Sequence, residues 1–160
     1  MDKSQRRAEI LLIIVTVIWG ATFSVTKDGF QDASPLLYLG IRFMAAWIIF
    51  SLVRPGVFKK FNKTNIKHGL ILGLFMFAGY GLQNLGLAQS SASRTGFINY
   101  TFALYVPFLQ IFILHRRPQI QNLLGIGVVT IGMFFIANPF GGAFNPGDML
   151  TLISAIAFAF

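Results

Sequence analysis

Gly147-Asp148-Met149-Leu150-Thr151-Leu152-Ile153-Ser154-Ala155-Ile156-Ala157-Phe158-Ala159-Phe160 is the stretch on which the fold turns. It is an apolar run of about 12 residues, where roughly 20 are needed to cross a bilayer core. Five longer apolar segments precede it, at roughly Glu9–Thr26, Pro35–Val53, His68–Leu87, Ser93–Leu114 and Gln121–Ala137. The run is therefore expected to open a sixth spanning helix, with the chain forming the first half of a longer polytopic membrane protein. The other half is expected to supply part of the site.

Composition agrees with this reading. The 160 residues are 55% hydrophobic and only 11% charged, with 18 Phe and 16 Gly. The mean hydropathy is +0.68. A soluble domain does not carry this balance, and Gly is commoner in membrane helices than in soluble ones. The net charge of +8 would indicate nucleic acid in a soluble protein. Here the basic residues sit in short loops between apolar runs, where they orient a membrane protein. The absence of Cys removes disulfides, thiolate metal sites and Cys nucleophiles together. The runs are continuous rather than alternating, so helices are expected and strands are not.

The loop charges alternate. Lys3, Arg6 and Arg7 precede the first segment; Arg54, Lys59, Lys60, Lys63 and Lys67 follow the second; Arg116 and Arg117 follow the fourth. The opposite side carries only Lys27 and Arg94, with Asp28, Asp32 and Asp148. The positive-inside rule places the basic side and the N-terminus in the cytoplasm, and the protein in the cell (inner) membrane as a multi-pass chain. The first segment lacks a small-x-small cleavage site at its end, so it is expected to remain as a helix.

The final run can be laid on the first segment without gaps. Glu9 then falls on Asp148 and Trp19 on Phe158. A unit of five helices is odd-numbered, so a second copy must insert upside down. Inverted repeats flanking a midplane site are a recurring transporter plan.

Several stretches, in order along the chain, carry a resemblance: Val17-Ile18-Trp19-Gly20-Ala21-Thr22-Phe23, Leu39-Gly40-Ile41-Arg42-Phe43, Leu82-Gln83-Asn84-Leu85-Gly86-Leu87, Ser90-Ser91-Ala92-Ser93-Arg94-Thr95-Gly96-Phe97, Tyr105-Val106-Pro107-Phe108 and Leu123-Leu124-Gly125-Ile126-Gly127. Together they resemble the N-terminal half of the EamA family of the drug/metabolite transporter superfamily. The resemblance implies an all-α transmembrane bundle of ten helices in two inverted halves, working by alternating access around a central cavity. Residues 1–138 would form one five-helix repeat, and residues 139–160 an external loop and the start of the second. His115-Arg116-Arg117-Pro118 departs from the pattern, since many relatives carry an acidic residue there.

Arg42 lies about seven residues into the second segment, some 10 Å below its outer end. A cation at that depth costs about 2.5–3.5 kcal/mol on insertion scales. It faces a cavity or a partner, or it snorkels outward. Trp19, Thr22, Tyr80, Asn84, Thr95 and Asn99 fall in the outer halves of three other segments, and Ser91, Thr95, Asn99 and Ala103 share one helical face. With Arg42 these seven are the expected substrate-binding residues, around a small polar cavity open to the outside. Hydrogen bonding between helices is the competing explanation. Gly69 and Gly73, with Gly125, Gly127 and Gly132, are expected to bring helices close, and Pro107 to kink the fourth segment.

No G-x-S-x-G, H-E-x-x-H or phosphate-binding loop occurs, and His68 and His115 stand singly. Enzyme activity, cofactors, metals and nucleic-acid partners are not expected. The expected activity is secondary transport, on the family resemblance export, of small metabolites or amino-acid-like or drug-like compounds. The alternative is a structural or sensing membrane protein. Proton coupling would fall to Glu9, Asp148 or residues outside this chain. The expected partners are a small-molecule substrate, the lipid bilayer, and the missing half or a second copy, because the final run is expected to leave its polar face unpartnered.

Overall fold

Helix starts are written locally in polar residues. Pro35 supplies a helical φ and has no N–H to satisfy, while Ser34 Oγ accepts from the Leu37 amide at 3.4 Å. Asn62 Oδ1 accepts from Asn65 N at 2.7 Å, and Ser91 Oγ accepts from Arg94 N at 3.2 Å. Each cap gives an acceptor to a first-turn amide that the helix itself cannot satisfy.

The computed structural model describes residues 3–113, 115, 117–137 and 143–159. These residues are helical apart from short connections, and no strand occurs among them. The order is α1 (Lys3–Gly29), α2 (Pro35–Val53), a short 3-10 helix (Pro55–Lys60), α3 (Lys63–Gln89), α4 (Ala92–Tyr100), α5 (Phe102–Phe112), α6 (Ile120–Ala137) and α7 (Pro146–Ala159). Among the described residues α1, α2 and α3 are long and apolar enough to cross a membrane, and α6 and α7 are shorter apolar helices. The expected boundary between residues 138 and 139 falls outside the described residues, as does Arg116.

The fourth segment differs from expectation. It is two helices, α4 and α5, divided at Thr101, and Pro107 lies inside α5. Thr101 Oγ1 donates to the Ile98 carbonyl at 2.7 Å. The Thr101 amide also turns back on Ile98, at 3.1 Å, so the turn tightens there.

The surface is more apolar than the interior. Leu39, Leu87 and Ala155 are the buried apolar residues among those described, whereas Thr26, Gln83, Asn84, Ser90, Thr95, Asn99, Asp148, Thr151 and Ser154 are buried polar ones. Lipid accounts for this inversion: it solvates Leu and Phe as well as a protein core does. What holds helices together is therefore close packing and hydrogen bonding.

The closest packing is α3 against α7. A Cβ on Gly79 would stand 2.8 Å from the Phe158 ring, and one on Gly86 would stand 2.6 Å from the Gly147 carbonyl. Gly147 in turn lies against Gln89. These pairs run α7 antiparallel to α3. Lys27 meets Leu87 and Ala88 at the same end, so α1 runs parallel to α3, and α7 is inverted relative to α1.

Two expectations are corrected here. Gly69, Gly73, Gly125, Gly127 and Gly132 have open space where a Cβ would be, and among the described residues the close approaches are at Gly29, against Tyr38, and at Gly79, Gly86 and Gly147. The polar face of α7 also has partners elsewhere in the chain: Asp148 pairs with Arg94 Nη2 at 2.8 Å and accepts from Ser90 Oγ at 2.9 Å.

Candidate functional site

Small and aromatic residues recurring every three or four positions build a cavity where α1 and α4 face each other. From α1 come Thr16, Trp19, Gly20, Phe23 and Ser24; from α4 come Ala92, Ser93, Gly96, Asn99 and Tyr100. Both sets are one helical stripe. Phe102 of α5 and Met133 of α6 complete the wall around a volume of about 520 Å³, within the range of small-molecule sites. Gly20 and Gly96 hold it open, because a Cβ at either position would meet nothing within 4 Å. Among the described residues the wall carries no charged side chain. It offers aromatic faces, with hydroxyls and the Asn99 amide as neutral hydrogen-bonding groups.

A second, constricted cavity of about 10 Å³ lies beside it, between α1, α2 and α3. That is room for about one water. Arg42, Thr22, Thr26, Tyr80, Gln83 and Asn84 line it, and Trp19 and Phe23 wall both spaces. Thr26 Oγ1 is buried there with no hydrogen-bond partner among the described residues. Thr22 Oγ1 is engaged with its own helix, donating to Ile18 O at 2.9 Å, and Asn84 Nδ2 donates to Tyr80 O at 2.7 Å.

The seven residues singled out from the sequence are thus divided. Trp19, Thr22, Arg42, Tyr80 and Asn84 surround the constricted cavity, and Trp19 and Asn99 line the larger one. Thr95 is fully buried and lines neither. Asn99 combines the two roles that sequence reasoning held apart: it faces the cavity, and its Oδ1 lies 3.4 Å from Ser154 Oγ of α7.

Sequence reasoning missed the cluster at the end of the bundle where α3 meets α7. Asp148, 0% exposed, pairs with Arg94 Nη2 at 2.8 Å. It also accepts from Ser90 Oγ at 2.9 Å and from Asn145 N at 3.0 Å. Asn145 Oδ1 accepts from Asp148 N at 3.0 Å, closing a reciprocal box at the start of α7. Arg94 Nη2 also reaches the Ala143 carbonyl at 3.3 Å. Beside this cluster Lys27 Nζ donates to the carbonyls of Leu87 and Ala88 at 2.7 and 2.8 Å, a cation at the negative end of α3. A local signal existed in Asn145-Pro146-Gly147-Asp148, which reads as a capped helix start with Pro at its first turn. The spacing of Ser90 and Arg94 also puts both on one side of a helix start. Nothing in either stretch names the other as its partner.

Residues 6–138 match the family described as the EamA-like transporter family. A protein of Archaeoglobus fulgidus named "Uncharacterized transporter" is 29% identical over 151 residues, which are 94% of this chain and 46% of that protein. An uncharacterized transporter of Bacillus subtilis is 29% identical over 128 residues, 78% of this chain and 44% of its own length. A protein of Escherichia coli named "Probable amino-acid metabolite efflux pump" is 30% identical over 160 residues, 96% of this chain and 52% of that protein. The chain spans about half the length of these curated relatives. No solved structure matches.

Proposed function

We propose, because the chain belongs to the EamA-like transporter family, that it forms one half of a secondary transporter carrying small amphipathic molecules out of the cell by alternating access. The observation that carries this reading is the cavity between α1 and α4, large enough for a metabolite and kept open by Gly20 and Gly96. A second set of spans, from the same polypeptide or a second copy, closes the cavity on the side this chain leaves open. The inverted course of α7 relative to α1 supports a repeat of that kind. Trp19 and Asn99 are the residues we assign to substrate first, since both face the larger space. Arg42, Thr22, Tyr80 and Asn84 act from the constricted cavity across the Trp19 wall.

In cells expressing the protein, a panel of amphipathic metabolites and drugs is expected to include compounds whose intracellular level falls at least several-fold. Asn99→Leu is expected to abolish that fall while the protein remains in the membrane. Equal accumulation of every compound with and without the protein would overturn the transport reading. The E. coli relative named for amino-acid metabolites makes amino acids and their derivatives the first compounds to include.

The orientation is a separate expectation. Fusions after Val53 and at the N-terminus are expected to report cytoplasm, and fusions after Gly29 the outside, as the basic loop residues require. The reversed pattern would overturn it.

A further inference from the structure

We propose that the segment joining α2 to α3 is a binding site for anionic phospholipid headgroups, seated on the membrane surface by Phe58 and Phe61. Both flanking helices are apolar spans, so the segment lies where hydrocarbon gives way to headgroups. The 3-10 helix Pro55–Lys60 folds it tightly, with Val57 N donating to Arg54 O at 3.1 Å and Phe61 N to Phe58 O at 3.3 Å. That turn sets the Phe58 and Phe61 rings edge to face, 5.5 Å apart with their planes at 89°.

Both rings remain open, at 43% and 57% exposure. Two paired aromatic rings held off the bundle at this depth fit the boundary between headgroups and acyl chains, where aromatic side chains gather. Around them the charge is of one sign. Arg54, Lys63 and Lys67 are exposed, and Lys59 and Lys60 lie between the rings in sequence. No acidic residue occurs between Asp32 and Asp148. Among the described residues none of Arg54, Lys63 and Lys67 is ion-paired; the pair found there, Arg94–Asp148, involves none of them. A basic cluster beside a spanning helix, with an apolar anchor in its middle, is complementary to a phosphodiester anion whose acyl chains lie alongside. In the orientation proposed above the leaflet is the cytoplasmic one, but the site itself does not depend on transport.

The test uses the full chain in nanodiscs of mixed phosphatidylglycerol and phosphatidylcholine, with retained lipid read by native mass spectrometry. The unaltered chain is expected to retain phosphatidylglycerol at least about tenfold over phosphatidylcholine, given several-fold attraction per basic residue at a membrane surface. The preference is expected to weaken as salt rises. Lys59→Gln/Lys60→Gln/Lys63→Gln is expected to bring the two lipids near parity, whereas the Lys→Arg triple keeps the preference, separating charge from folding. Phe58→Ser/Phe61→Ser is expected to lower phosphatidylglycerol retention with all five cations still present. Equal retention of both lipids by the unaltered chain would overturn the site, as would a preference that survives the Gln triple. Displacement of the lipid by millimolar inorganic phosphate would overturn the assignment to a lipid headgroup.

Discussion

Asp148→Ala is expected to destabilise the bundle by about 3 kcal/mol, the lower end of the range for removing one partner of a buried ion pair. The carboxylate is 0% exposed and is held by Arg94 at 2.8 Å, with Ser90 Oγ and the Asn145 amide on its oxygens. Removing it strips a hydroxyl and an amide of their acceptor and leaves a largely buried guanidinium without its counter-charge. Arg94 keeps the Ala143 carbonyl and 13% side-chain exposure, which is why the lower end applies. Arg94→Ala is expected to cost less, because Asp148 retains its two other donors. In the double variant the loss is expected to be smaller than the sum, the signature of coupled sites. Gly86→Leu tests the same seam by sterics: its Cβ would meet Thr151 and the Gly147 carbonyl, and backbone cannot step aside as a side chain can. Thermal unfolding in detergent is the measurement, with a fall of order 5–10 °C expected for each. A melting temperature unchanged in both Asp148→Ala and Gly86→Leu would mean that α7 is not held by this seam.

Gly96→Leu is expected to separate function from folding in the opposite direction. Gly96 and Gly20 both line the cavity, and a Cβ at either position meets nothing within 4 Å. An added side chain therefore enters empty space and leaves the helix contacts as they are. Filling part of about 520 Å³ takes volume from any occupant, and uniform loss of binding follows. Efflux of a transported compound is expected to fall by at least about tenfold, equivalent to about 1.4 kcal/mol of lost binding, with melting temperature held. Gly96→Ala should do less, because a methyl group removes little of that space. Transport unaffected by Gly96→Leu and by Gly20→Leu would place the substrate elsewhere.

The helices were legible because lipid imposes a strong rule on the chain. Every backbone amide must be satisfied within its own span, so continuous apolar runs mark helices, and α2 begins and ends where its run does, at Pro35 and Val53. The fourth segment was less legible. Pro107 marks a missing amide donor, yet the chain breaks at Thr101, where a hydroxyl turns back onto Ile98 O. Glycines misled for a similar reason. A glycine shows that a close approach is allowed, and only the partner helix decides that it happens at Gly79 and Gly86 and not at Gly69 and Gly73.

What the sequence determined alone is the helical, membrane-spanning character of the chain, the ends of α2 and the family to which it belongs. These follow from interactions within a few residues or from summed hydropathy, and both are properties of a linear string. Tertiary structure decided the rest: that Asp148 meets Arg94 and Ser90, that Asn99 faces a cavity while Thr95 does not, and that Arg42 and Trp19 share the constricted cavity. Each of these depends on how one helix is rotated against another. In lipid that rotation is set by a few close contacts and hydrogen bonds between residues far apart in sequence, rather than by an apolar face that periodicity would reveal.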